Sequence, residues 1–180
     1  MLLAYLRYIP FNAMKTFINE NIFNICMLSD DEIKRIIASY KIEKSIPRKK
    51  YTAEISKYLE RKEIIVLKGI RRCGKSTIMK QLMEEVGISN SIYVNLDDYR
   101  FLEFHSVKLL EQILKLYLKD KKIYLFLDEI QNIPSFERWL RSHYDMGTDV
   151  KFIISGSNST IMTKELGTLL TGRCLNFEIM

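Results

Sequence analysis

A three-layer αβα fold, with helices on both faces of a mostly parallel sheet of five strands, is predicted by three observations in this chain of 180 residues. Short apolar runs alternate with segments whose apolar residues recur at helical spacing, the pattern of a parallel sheet covered on both sides. The string Gly-Ile-Arg-Arg-Cys-Gly-Lys-Ser-Thr at 69–77 stands between one such run and one such helical segment. Another run, Ile123 to Leu127, ends in the acidic pair Asp128-Glu129.

The N-terminal part reads as helical. Phe11, Met14, Phe17, Ile18 and Ile22 share one helical face. Ser29-Asp30-Asp31-Glu32 is a capping box, in which the Ser and Glu side chains satisfy free backbone N–H groups, and Ile33, Ile36, Ile37 and Tyr40 follow on one face. Pro47 marks a boundary, so residues 1–45 are expected to form a helical extension and residues 46–180 the main domain. A short helix over 50–60 leads into the first strand, Ile64 to Leu67. After the 69–77 string, Ile78, Met79, Leu82, Met83 and Val86 predict a helix with one buried face. Ser91 to Leu96 is a strand ending in Asp97-Asp98, and Val107 to Leu118 an apolar helix. The run at 123–127 is apolar throughout, as a strand buried on both faces requires. Ser135 is expected to cap a helix whose Phe136, Trp139, Leu140 and Tyr144 are core residues. Val150 to Ile154 and Leu175 to Ile179 supply the last strands.

Residues 69–77 match G-x-x-x-x-G-K-[ST], whose four fixed positions would coincide by chance in about one chain of this length in 100. Each residue type answers a demand of a bound triphosphate. Gly69 and Gly74 let the backbone turn tightly and aim successive N–H groups at phosphate oxygens, and the following helix adds its dipole. Lys75 is expected to reach the β- and γ-phosphates, and Ser76 to place its hydroxyl on Mg²⁺. The expected nucleotide-binding set is Gly69, Ile70, Arg71, Arg72, Cys73, Gly74, Lys75, Ser76 and Thr77, of which Arg71, Arg72 and Cys73 fill variable positions. The predicted fold is therefore the P-loop NTPase type of α/β fold.

Ligands of open α/β sheets bind at the carboxyl ends of the strands, where Asp128 and Glu129 lie. Asp128 suits a place beside Mg²⁺, and Glu129 suits the polarisation of an attacking water. Asp97-Asp98 could approach the same ion or serve as a turn. Ser157 and Asn158, past the fourth strand, are candidates for contact with the γ-phosphate or its water, with an ordinary turn as the equal alternative. An Asn-Lys-x-Asp-like guanine reader is not matched by the nearest string, Thr163-Lys164-Glu165-Leu166, so ATP is favoured over GTP. Glu129 directly after Asp128 favours transfer to water over transfer to a substrate hydroxyl.

A hydrophobic content of 47% supports one substantial core. The net charge of +6 permits DNA as a partner. The Lys and Arg residues are scattered, however, with short clusters at Arg48-Lys49-Lys50 and 119–122, which a solvated basic surface explains better. The 3 cysteines form no C-x-x-C pair, consistent with a reducing cytoplasm and no metal-thiolate site. The apolar segment Met1 to Pro10 is interrupted by Arg7 and lacks a small-residue cleavage site, so no signal peptide is expected. No apolar stretch is long enough for a membrane span. His105 and His143 lack ligand spacing.

Taken in order, Ile46-Pro47-Arg48, the 69–77 loop, Tyr93-Val94-Asn95-Leu96-Asp97-Asp98, Phe126-Leu127-Asp128-Glu129-Ile130-Gln131, Ile154-Ser155-Gly156-Ser157-Asn158 and Leu170-Thr171-Gly172-Arg173 resemble archaeal and bacterial AAA-type ATPases. The resemblance covers 46–180. It implies a sheet in which the phosphate-loop strand is flanked by the fourth and fifth strands. It also implies ATP and Mg²⁺ as ligands and a homo-oligomer or separate effector domain as partner. Arg173 matches the family's Gly-Arg and could act as an arginine finger toward a neighbour's nucleotide, or close a helix at the surface. Members typically continue into a nuclease-like C-terminal domain, which would begin after Met180, so the ATPase part alone is expected here. Three functions remain open on the residues: an Mg²⁺-dependent ATPase, a nucleotide-dependent switch that engages DNA or protein, and a small-molecule phosphotransferase.

Overall fold

The computed structural model describes residues 27–42, 45–118, 122–157 and 169–180. The helix expected over 10–25 and the candidate Asn158 lie outside the described residues. Helix α1 (Asp30–Ala38) opens with the predicted capping box: Glu32 N–H donates to Ser29 Oγ at 3.3 Å, and Ser29 N–H to Glu32 Oε2 at 3.0 Å. Then come α2 (Lys49–Ile55), β1 (Ile64–Gly69), α3 (Lys75–Val86), β2 (Ser91–Asn95), α4 (Val107–Tyr117), β3 (Ile123–Asp128), α5 (Phe136–Met146), β4 (Val150–Ser157) and β5 (Cys174–Ile179).

The sheet order is β2-β3-β4-β1-β5, and all four pairings are parallel. The phosphate-loop strand β1 is flanked by β4 and β5, as the resemblance implies. Val66 lies opposite Ile154 and Asn176, and Leu127 also lies opposite Ile154. This register brings the carboxyl ends of the strands to one edge. The ends of β1 and β3 are separated by β4 alone, a gap of about 10 Å at ordinary strand spacing.

Alternation along the strands divides the core between two faces. Val66, Val94, Leu125, Leu127 and Ile154 pack with apolar residues of α1, α4 and α5. Ile65, Leu67, Tyr93, Phe126 and Ile153 pack with Ile55 of α2 and with Ile78, Met79 and Leu82 of α3. Every residue of β3 is buried, so the acidic pair is carried on the best-anchored strand. At about 1.5 to 3 kcal/mol per buried large apolar side chain, this packing is a dominant stabilising contribution. Helix α1, expected as part of the extension, adds Ile33 and Ile36 to the first of these faces.

Local departures from expectation have local causes. The helix expected over 50–60 ends at Ile55 and tightens into a 3₁₀ turn, Ser56–Tyr58. There Ser56 Oγ donates to Thr52 O at 2.7 Å, and buried Lys151 Nζ donates to the carbonyls of Tyr58, Arg61 and Glu63 at 2.7, 2.8 and 2.5 Å. Strand β4, expected to stop at Ile154, continues through Ser157 because Leu67, Lys68 and Gly69 of β1 extend the ladder. Ser135 occupies the N-cap position of α5 but makes no side-chain capping bond. Its left-handed backbone, φ 62°, is not the extended geometry from which a cap reaches the helix N–H groups.

Candidate nucleotide-binding site

The phosphate loop joins the end of β1 to the start of α3. A methyl group on Gly69 would lie 2.4 Å from the Ile179 carbonyl oxygen of β5 and 2.6 Å from Cys73 Sγ, so the position admits no side chain without displacement. Gly74 is the N-cap of α3 with φ 98°, and Arg72 also stands in the left-handed region at φ 68°. Such turns direct successive backbone N–H groups into one concavity, an anion-binding arrangement. Lys75 is buried and donates from Nζ to Gly69 O at 3.2 Å and Ile70 O at 3.1 Å, so its ammonium rests on carbonyls of the loop itself. Arg48, seen in the sequence only within a basic cluster and a family string, braces this loop. Its guanidinium donates to Cys73 O at 3.2 Å and Met180 O at 2.8 Å, and its backbone N–H to Gln81 Oε1 of α3 at 3.0 Å.

Asp128 is buried at the end of β3, and both of its carboxylate oxygens accept protein hydrogen bonds. Tyr93 Oη of β2 donates to Oδ2 at 2.5 Å, and Ser155 Oγ of β4 donates to Oδ1. Burial first, and then the Asp128 charge, push the Tyr93 phenol well above its usual range, so Tyr93 remains a donor.

Glu129 follows with a left-handed backbone, φ 57°, and its N–H donates to Ser155 Oγ at 3.1 Å. Its carboxylate accepts from Gln131 Nε2 at 2.6 Å. A cleft of about 220 Å³ at this edge is lined by Arg71, Asp97, Glu129, Gln131 and Ser157. The structure thus brings together the phosphate loop, the acidic pair and the end of β4.

The two residues of the β2 acidic pair part company. Asp97 faces the cleft, whereas Asp98 accepts from Arg100 and from Tyr40 Oη at 3.0 Å, joining the segment after β2 to the segment after α1. Arg173 is not brought to the loop. It immediately precedes β5, and its carbonyl accepts from Ile64 N–H at the opposite edge of the sheet, where its guanidinium pairs with Asp145 at 2.8 Å. His143, given no role from sequence, bridges Thr148 and Glu111 at 3.1 Å on each side and ties α5 to α4. Tyr93, Ser155, Gln131 and Arg48 were not singled out as site residues. Their strings were visible, but the contacts of Tyr93 and Ser155 depend on which strands are neighbours, that of Gln131 on the turn after β3, and those of Arg48 on how the segment before α2 meets the loop.

A family model described as an AAA domain matches residues 61–180. The chain belongs to the AAA domain family. Among curated relatives, a protein of Methanocaldococcus jannaschii is 34% identical over 119 residues, covering 66% of this chain and 26% of its own length. A protein of Haemophilus influenzae is 28% identical over 142 residues, covering 74% of this chain and 35% of its own length. The chain therefore spans about a quarter to a third of these relatives. Among solved structures, a DNA polymerase III gamma subunit-related protein from Thermotoga maritima is similar in fold, with a TM-score of 0.52 at 8% identity, over 72% of this chain and 45% of that one. This AAA domain is a nucleotide-binding P-loop fold.

The donor set of the AAA domain fits a magnesium nucleotide. Among the described residues there is no group of three or more His, Cys, Asp or Glu able to hold a metal ion. A single hydroxyl and a single carboxylate are what Mg²⁺ takes from protein when phosphates and water complete its shell. Among the described residues, no helix is long and apolar enough to cross a membrane.

Proposed function

We propose that this AAA domain binds ATP with Mg²⁺ and transfers the γ-phosphoryl group to water. The observation that carries the reading is that Arg71 of the phosphate loop and Glu129 of the acidic strand line one cleft. Phosphate binding and water activation then have a common place. Lys75 leaves the carbonyls of Gly69 and Ile70 for the β- and γ-phosphate oxygens, exchanging two neutral acceptors for charged ones, which make stronger bonds. The backbone N–H groups from Gly69 to Thr77 hold the phosphates. Glu129 takes a proton from the attacking water as its oxygen bonds to the γ-phosphorus and the bridging P–O bond to ADP breaks. Ser76 and Asp128 would hold Mg²⁺, which supplies positive charge against the phosphate oxygens when bound.

Arg173 acts, on this reading, only on a nucleotide bound by another copy. The six residues of β1 put its end of the sheet about 20 Å from the phosphate loop of the same chain. The work driven by hydrolysis belongs to an effector region or partner beyond this AAA domain. The preference for adenine rests on the missing guanine reader.

Equilibrium ATP binding and phosphate release, measured with Mg²⁺ and with the ion chelated, test the proposal. The parent is expected to bind ATP and to release phosphate only with Mg²⁺, and Lys75→Ala to lose binding. Tight binding without release would replace hydrolysis with a nucleotide-dependent switch. Unchanged binding by Lys75→Ala would remove the loop from the account.

A further inference from the structure

We propose that Gln131 is a positioning residue that sets the direction of the Glu129 carboxylate, an inference that rests on the ATPase reading above. The side chain makes a short bond, Nε2 to Glu129 Oε2 at 2.6 Å, and both residues line the cleft that Arg71 enters. The other end of the amide, Oε1, is buried and has no hydrogen-bond donor among the described residues.

That asymmetry is informative. A glutamine recruited to brace the fold is expected to satisfy both ends, because an unpaired buried acceptor is destabilising. Turning the amide over would set its oxygen against a carboxylate oxygen, two acceptors face to face. Contact with Glu129 therefore decides how Gln131 lies, even at the expense of its own oxygen.

The surrounding turn is built to hold this pair still. Gln131 lies in the 3₁₀ turn Ile130–Asn132, where Ile130 is fully buried and Asn132 Nδ2 donates to Leu96 O at 3.0 Å. Ser155 fixes the Glu129 backbone from β4, and Gln131 fixes its carboxylate from two residues onward. A glutamate has three side-chain torsions, and a base that must meet a water in line with a phosphorus benefits from having them restricted. The amide donor occupies one carboxylate oxygen and leaves the other free to face the attacking water.

The test compares the parent, Gln131→Ala, the similarly sized Gln131→Leu, Glu129→Gln and the Glu129→Gln Gln131→Ala pair. Steady-state phosphate release, equilibrium ATP binding and thermal unfolding are measured on each. Both Gln131 variants are expected to lower kcat about 10-fold to 100-fold, with ATP affinity and unfolding temperature close to parent. The paired variant is expected to match the residual rate of Glu129→Gln alone, since Gln131 acts through Glu129. Parental kcat in Gln131→Leu, or a paired variant much slower than Glu129→Gln, would overturn the proposal. A parent that binds ATP but releases no phosphate would overturn the ATPase reading and this inference together.

Discussion

Replacing Gly69 with alanine tests whether the loop geometry follows from close packing against β5. The added methyl carbon would meet the Ile179 carbonyl oxygen at 2.4 Å and Cys73 Sγ at 2.6 Å. Cys73 is a side-chain contact in a loop and can turn away. The carbonyl belongs to β5, whose Ile179 pairs with Gly69 in the ladder, so relief requires one strand to shift against the other. Forced overpacking of this kind costs about 1 to 3 kcal/mol. For a domain of this size the loss corresponds to a fall of about 2 to 12 °C in unfolding temperature. Thermal unfolding and ATP titration are measured for Gly69→Ala, Cys73→Ala and the double variant. Gly69→Ala is expected to lose both stability and ATP affinity, and the double variant to recover only part of each because the carbonyl remains. Full recovery in the double variant would refute the argument from β5. Parental stability and affinity in Gly69→Ala would refute the steric argument altogether.

Tyr93→Phe removes the donor to Asp128 Oδ2, leaving a buried carboxylate oxygen without that partner. A loss of about 1 to 3 kcal/mol in chemical denaturation is expected, and parental stability would contradict it. Arg100 first, and Tyr40 with it, hold the Asp98 carboxyl down to about 2 from 3.8. A depressed carboxylate stabilises the fold above its unfolded value and ceases to do so as pH falls through the folded one. The stability gap between parent and Asp98→Asn, on the order of 1 to 2 kcal/mol, should therefore be full at pH 5 and shrink from about pH 4 to pH 2. Parallel unfolding curves across that window would contradict the assignment.

The parts of the fold that depend on local pattern were legible in the sequence. The Ser29 to Glu32 capping box, the apolar strand before Asp128 and the loop at 69–77 each carry their cause within a few residues. The AAA resemblance, drawn from the order of these segments, is borne out by the family match over 61–180. What was not legible depends on side-chain direction and on the backbone of the turns. Ser155 reaches both Asp128 and Glu129 from β4, which lies between β1 and β3; the resemblance implied β4 beside β1, but no spacing in the sequence showed which way the Ser155 side chain points. Gln131 was visible only as a letter after the acidic pair. Its contact with Glu129 depends on the left-handed backbone at Glu129 and the 3₁₀ turn Ile130–Asn132 that follows, neither of which the string shows. Ser135 had the right chemistry for a cap, but the backbone entering α5 took a left-handed turn that put its side chain to no such use.

In the proposed function Glu129 activates water at a nucleotide held by the 69–77 loop. Paired measurements on Glu129→Gln, ATP affinity by equilibrium titration and phosphate release at saturating ATP and Mg²⁺, address it most directly. ATP affinity is expected within about twofold of the parent and release reduced by at least about 100-fold. Release at the parental rate with ATP bound would contradict it.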